Sequence, residues 1–235
     1  MIAISTTLDN SVNINLPLCQ KYVNTIFATI GVHPNEISTW KDDETENQIV
    51  EMLNKNKEFF IAIGECGLDY LKEDLTEDDK KKQAIVFEKQ LQIASKYKLP
   101  VFLHERKAHR EFVDILSKYR SQLTTVLVNC FTGPLSELEM YNKLDCYIGV
   151  TGILASEDRG ENLRNVLKEI PLNRLVLGSD APYLTPFNMP RDEMGRFPKC
   201  NEPQYMPFTL SLAASLLNVS VEHLASVTTQ VIIQL

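Results

Sequence analysis

Polar groups able to do chemistry stand directly after short apolar runs along this chain. Glu65 and Asp69 follow FFIAIG in IGECGLDY, and His104 and Arg106 follow PVFL in HERKAH. Asn129 closes VLV in VNCFTG, Asp180 follows LVLGS in GSDAPYLTP, and His33 lies in GVHP. Carboxylates and imidazoles brought together at strand ends form a ligand set for a divalent metal. Taken singly, each has a plainer reading. A glutamate at a strand end can charge a helix N-terminus or bond a loop, and Asp180 before Ala-Pro can cap a turn. His33 before Pro34 reads foremost as a structural or supporting hydrogen-bonder. Their joint occurrence after several strands favours the chemical reading.

The elements that must position these groups alternate along the chain. Apolar runs rich in Val, Ile and aromatics predict strands at Ile2–Ser5, Ile26–Val32, Phe59–Gly64, Val101–His104, Thr125–Asn129, Tyr147–Val150 and Leu175–Gly178. Several are continuously apolar, as in a parallel sheet buried on both faces. Between them, helical spacing predicts Glu46–Asn56, Lys82–Lys98 (stopped by Pro100), Lys107–Tyr119, Leu135–Lys143 and Asn162–Glu169. Met206–Leu217 and Val221–Ile233 follow, the latter with Ser220 as N-cap. The proline-rich stretch Pro182–Pro203 reads as a long loop, a kind of segment that tends to carry function. Strand and helix in alternation give an α/β fold. A (β/α)8 barrel needs eight strands and the chain offers about seven, so an open doubly wound sheet competes with it. In a barrel, the C-terminal strand ends share one mouth. No repeat or linker is visible, and residues 1–235 read as a single domain.

Composition limits the partners. The 235 residues are 44% apolar and 23% charged, as in ordinary globular chains. The formal net charge of −7 means that a polyanion must be held by a local basic patch or by bound metal. The five cysteines have no CxxC spacing and read as reduced thiols of a cytoplasmic protein, with the nucleus as the alternative. No apolar run reaches membrane length, so no membrane partner is expected.

The motifs IGECGLDY, LPVFLHERKAH, VNCFTG, SDAPYLTP, NEP and GVHP, with Gln83, Phe87, Gln90, Leu91 and Ala94 on a helix and TTQ near the C-terminus, closely resemble the TatD family of metal-dependent deoxyribonucleases. The likeness runs through nearly the whole chain in order. It implies a TIM-type barrel of the amidohydrolase-like kind. It also implies metal ligation by Glu65, His104 and Asp180, with Asp180 orienting or deprotonating the attacking water and Glu65 sharing the catalytic work. Arg106 and His109 would hold a substrate phosphate. The implied cofactor is a divalent ion, magnesium first, with zinc and manganese as alternatives, and the implied substrate is DNA.

The chain departs from the family pattern at three places. The first barrel strand, with its His-x-His pair, is expected to be missing, which would leave an open edge prone to self-association. The family histidine of HCF is Asn129, whose amide oxygen suits magnesium or calcium better than zinc. The glutamate usual two residues before Asp180 is Gly178. The expected activity is therefore phosphodiester hydrolysis by an exonuclease-like deoxyribonuclease. A catalytically impaired or inactive truncated paralogue and a metal-dependent hydrolase of a non-nucleic-acid substrate are the alternatives.

Overall fold

The computed structural model describes residues 1–234. The chain packs as two compact units, Met1–Leu127 and Val128–Leu235. The described residues contain seven strands, one at each position the apolar runs predict.

The first unit carries β1 (Ile2–Ala3), β2 (Phe27–Ile30), β3 (Phe60–Asp69) and β4 (Val101–Arg106), each parallel to the next. Its helices are α1 (Leu8–Asn10), a π-helical turn at Ser11–Asn15, α2 (Leu16–Lys21), α3 (Asp42–Lys55), α4 (Glu77–Tyr97) and α5 (His109–Tyr119). β5 (Val126–Val128) lies where this unit passes into the second.

Four elements differ from their predicted bounds in ways that matter. β3 does not stop at Gly64 but continues to Asp69, so Glu65 and Asp69 belong to the strand and do not follow it. The sequence GECGLD has little strand propensity. Pairing with β4 overrides it, through Gly67 opposite His104 and Asp69 opposite Arg106. Gly64 and Gly67 make that approach feasible. Both have φ near +143°, and a Cβ at Gly67 would lie 1.9 Å from the His104 carbonyl oxygen. β4 likewise runs on through Arg106, and α5 starts at His109, two residues later than expected. The Ala108 N–H before it is taken by Glu105 Oε1 at 2.8 Å.

α4 begins at Glu77, five residues before its predicted start at Lys82. The signal is present in the sequence: Thr76 Oγ1 accepts from the Asp79 N–H while Asp79 Oδ2 accepts from the Thr76 N–H, a reciprocal cap. The helices between Leu8 and Lys21 had no prediction; Thr7 caps the first of them through the Asn10 N–H. Phe60, Ile63, Leu68, Leu91, Leu103 and Leu116 fill the core of this unit, and Phe87 stacks on Phe112 at 5.1 Å.

In the second unit β6 (Tyr147–Val150) pairs in parallel with β7 (Leu175–Leu177). α6 (Leu135–Lys143), α7 (Glu161–Val166), α8 (Met206–Leu217) and α9 (Val221–Gln234) complete it. Ser220 Oγ accepts from the His223 N–H, the N-cap that the sequence predicts. Tyr141, Ile148, Leu154, Leu163, Leu175 and Leu224 are among its buried side chains. Between β7 and Pro203 there is neither helix nor strand. Among the described residues no single helix is long and apolar enough to cross a membrane.

Candidate metal centre

Three segments of the first unit bring their polar groups together: the turn after β2, the distal half of β3 and the end of β4. Possible ligand atoms of His33, Glu65 and His104 lie within 4.8 Å of one another. His104 Nδ1 is 3.7 Å from Glu65 Oε1. Two ligands of one ion, with bonds of ~2.1 Å at a tetrahedral angle, stand ~3.4 Å apart, so this pair fits a shared ion with little movement. A mixed nitrogen and oxygen donor set is chemically suited to that purpose.

Asp69 is the hub beneath the pair. It is 2% exposed, and its Oδ2 accepts from His104 Nε2 and from Asn35 Nδ2, both at 3.1 Å. Oδ1 accepts from the Leu71 N–H at 3.1 Å, and Arg106 Nη1 stands 3.7 Å from Oδ2. Burial alone would raise the Asp69 pKa. The bonds from His104 and Leu71 outweigh it and hold the carboxyl at about 2. Burial likewise favours a neutral His104, but its bonds to Asp69 and Glu65 prevail and raise it to about 9 without metal. Its neighbour His33, with ring centroids 4.3 Å apart, goes the other way. Burial, then the His104 charge, lowers it to about 4.

The backbone of these segments is held by two glutamines on one face of α4. Gln83 accepts from the Asp69 N–H at 2.9 Å and donates to the Asp69 carbonyl at 3.1 Å. Two turns on, Gln90 does the same for Val32, at 2.8 and 3.0 Å. Val32 precedes His33, so α4 grips both the β2 and the β3 side of the site. Glu65 is held from the other direction, its N–H donating to the Ser5 carbonyl at 2.9 Å. Ser5 is itself locked to Thr29 and Asn15 by buried hydrogen bonds.

The other predicted residues fall as follows. Arg106 is half exposed beside Asp69. His109 opens α5 and, with Tyr70, Lys107 and Arg110, lines an open cavity of about 370 Å³. The Tyr70 hydroxyl donates to Glu111 there, at 2.8 Å. Asn129 and Asp180 belong to the second unit. Asn129 is buried at the end of β5, and a Cβ placed on Gly178 would lie 4.0 Å from its Oδ1. The two departures from the family pattern are thus neighbours in space. Asp180 has φ +55° in the turn after β7, and its carbonyl accepts from the Tyr183 N–H. The long loop beyond is gathered by Asn201, whose side-chain amide donates to the carbonyls of Ser179 and Tyr183 at 2.6 and 2.7 Å.

Sequence reasoning gave no role to Asn35, counted Asp69 among the strand-end carboxylates without a specific task, and left Gln83, Gln90 and Asn201 as motif letters. One signal was available. A glutamine amid Phe87, Leu91 and Ala94 on a buried face needs a partner for both ends of its amide. Asn35 carried no such signal, since its partner is 34 residues away.

The model of a family described as TatD-related DNase matches residues 1–235. The chain is 39% identical over 191 residues to a protein of Pectobacterium parmentieri named 3'-5' ssDNA/RNA exonuclease TatD, covering 81% of this chain and 70% of that one. It is 38% identical over 215 residues to the Edwardsiella piscicida protein of the same name, covering 91% and 78%. Among solved structures, a TatD homologue of Escherichia coli K12 superposes with a TM-score of 0.82 at 24% identity, over 98% of this chain and 83% of that one. A TatD-family hydrolase of Entamoeba histolytica gives 0.82 at 25%, over 98% and 82%. These structures show the fold to be of the TatD barrel type, which removes the doubly wound alternative.

Proposed function

Because this chain belongs to the TatD-related DNase family, we propose that it is a metal-dependent exonuclease that hydrolyses phosphodiester bonds in single-stranded nucleic acid, DNA foremost. The observation that carries the reading is the meeting of Glu65 and His104 on adjacent strands, with Nδ1 and Oε1 3.7 Å apart. These two side chains hold the ion. When bound, a divalent cation lowers the pKa of water and offsets charge developing on the phosphodiester. Magnesium is the ion proposed for the whole protein, with manganese and zinc as alternatives, since the Glu65–His104 pair by itself suits all three.

The remaining residues bind and orient. Arg106, anchored near Asp69 and half exposed, presents a planar donor fork to a phosphate oxygen. Lys107 and Arg110 line the cavity at the start of α5 beside His109, together with Glu111 and Asp114. With a net charge of −7, the holding of a polyanion is proposed to rest on Arg106 and the bound ion. For Asp180 as ligand and water-orienting group, and for Asn129 as a weak ligand, the proposal rests on the motifs SDAPYLTP and VNCFTG. Self-association through a sheet edge rests on the seven-strand count alone. A cytoplasmic or nuclear setting rests on the scattered thiols.

The test is digestion of single-stranded oligonucleotides labelled at either end, with magnesium, manganese or zinc, against Glu65→Ala and a chelated control. Loss of single nucleotides from the 3' end, abolished by both controls, is expected. No metal-dependent cleavage of any phosphodiester would overturn the reading. A second reading, a catalytically impaired relative, is favoured by the adjacency of Asn129 and Gly178. It predicts metal binding without turnover in the same assay.

A further inference from the structure

His33, Glu65 and His104 offer three donor groups within 4.8 Å, and taken at face value all three would ligate. The hydrogen bonds around Asp69 argue otherwise. An ionised carboxylate can only accept, so the hydrogen between Asp69 Oδ2 and His104 Nε2 belongs to the imidazole. A neutral His104 therefore carries its lone pair on Nδ1, the atom 3.7 Å from Glu65 Oε1. In His33 the accounting runs differently. Its Nδ1 lone pair accepts the backbone N–H of Asn35 at 3.1 Å, which places the hydrogen of the neutral ring on Nε2. Asn35 is in turn tied to Asp69 through its side-chain amide at 3.1 Å. The two rings share a tautomer but differ in what they have left to give. His104 retains a lone pair, and His33 retains only an N–H.

We propose that Asp69 is the positioning residue of this centre: it makes His104 a ligand through Nδ1 and, through Asn35, commits His33 to hydrogen-bond donation in place of metal ligation. The inference rests on the metal-centre reading above, and adds to it the ligating atom and the exclusion of one histidine. Asp69 suits the role because its own backbone cannot drift, both of its peptide groups being held by Gln83. Partners of this kind, which orient a metal-binding imidazole, typically contribute ~10–100-fold in metal affinity.

The experiment uses the full chain, uniformly labelled with nitrogen-15 and loaded with zinc, a diamagnetic probe. Long-range proton–nitrogen spectra of the four histidines are assigned with His104→Gln and His33→Gln. His104 should show a coordinated Nδ1 and a protonated Nε2, and His33 an uncoordinated ring protonated at Nε2. Zinc titration should give His33→Gln an affinity within about threefold of wild type. Asp69→Asn, isosteric and expected to fold, should lose ~10-fold or more. Coordination of His104 through Nε2, a large affinity loss in His33→Gln, or wild-type affinity in a folded Asp69→Asn would each overturn the proposal. Absence of magnesium, manganese and zinc binding to wild type would defeat the metal-centre reading itself. The tautomer assignment would then still be decided on metal-free protein at a pH where His104 is neutral. There Nε2–H upholds Asp69 as the positioning residue, and Nδ1–H refutes it. Asn35→Ala keeps the backbone N–H that His33 accepts but removes the tether to Asp69: loss of the single-tautomer signature of His33 alone supports the link through Asn35, and an unchanged His33 refutes it.

Discussion

Replacing Gln83 by leucine tests whether α4 holds the β3 side of the site. Leucine is apolar, of comparable bulk and a good helix former, so packing and propensity change little. What changes is that the Asp69 N–H and carbonyl lose partners at 2.9 and 3.1 Å, at a position where Gln83 is 1% exposed. Each buried backbone group left without a partner costs ~1–3 kcal/mol, so the pair should cost ~2–6 kcal/mol. That is a large fraction of the ~5–15 kcal/mol typical of a folded domain. Gln83→Glu should be at least as harmful: the carboxylate can accept from the N–H but cannot donate to the carbonyl, and it adds a buried charge. Gln90→Leu should cost a similar amount through Val32. The assay is urea unfolding of chelated protein, read from the midpoint at constant slope. A loss below ~0.5 kcal/mol for Gln83→Leu, the range of ordinary surface changes, would refute the reasoning, because it would mean water or a shifted strand replaces the clamp at no cost.

Protonation of His104 gives a second expectation. Its folded pKa lies near 9, above the 6.5 of a free imidazole. The stability it lends the metal-free protein is therefore complete below about pH 6.5 and is lost as pH rises through about 9. Thermal melts of chelated protein should show that decline, and His104→Gln should flatten it; a decline unchanged in the variant would contradict the assignment. Metal uptake has the opposite sense, since the ion competes with that proton, so calorimetric affinity should rise with pH and proton release should accompany binding. Asn129→His should strengthen zinc binding by roughly tenfold, ~1.4 kcal/mol. Adding Gly178→Glu, whose Cβ would start 4.0 Å from the Asn129 Oδ1 position, should raise it further by giving the imidazole N–H a carboxylate. Equal zinc affinity in all three proteins would refute the proposed assignment of residue 129 as a ligand. Asn201→Ala should release the loop after β7, seen as new tryptic cuts at Arg191, Arg196 or Lys199 with little change in overall melting. Unchanged proteolysis would show that the loop is held by other contacts.

Much of this protein is written locally. The apolar runs give seven strands because burial rewards continuous Val, Ile and Leu wherever the chain is extended. Pro100 ends α4, Ser220 starts α9, and Thr76 with Asp79 announces α4 in residues adjacent in sequence. The motif letters Glu65, His104 and Arg106 were legible because their residue types are costly to place beside apolar strands without a purpose. What the sequence could not state is which groups are partners. Asp69 looks like the start of a loop until β4 pairs with GECGLD and draws it into β3. Asn35 and Asp69, and Gln90 and Val32, are separated by 34 and 58 residues. The first bond exists only once the turn after β2 meets β3, and the second only after α4 has packed against the sheet. His33 and His104 have the same side chain and opposite pKa shifts. Their difference lies in neither residue: His104 has Asp69 and Glu65 to bond, whereas burial and the His104 charge act on His33, and those neighbours are brought together only by the tertiary structure.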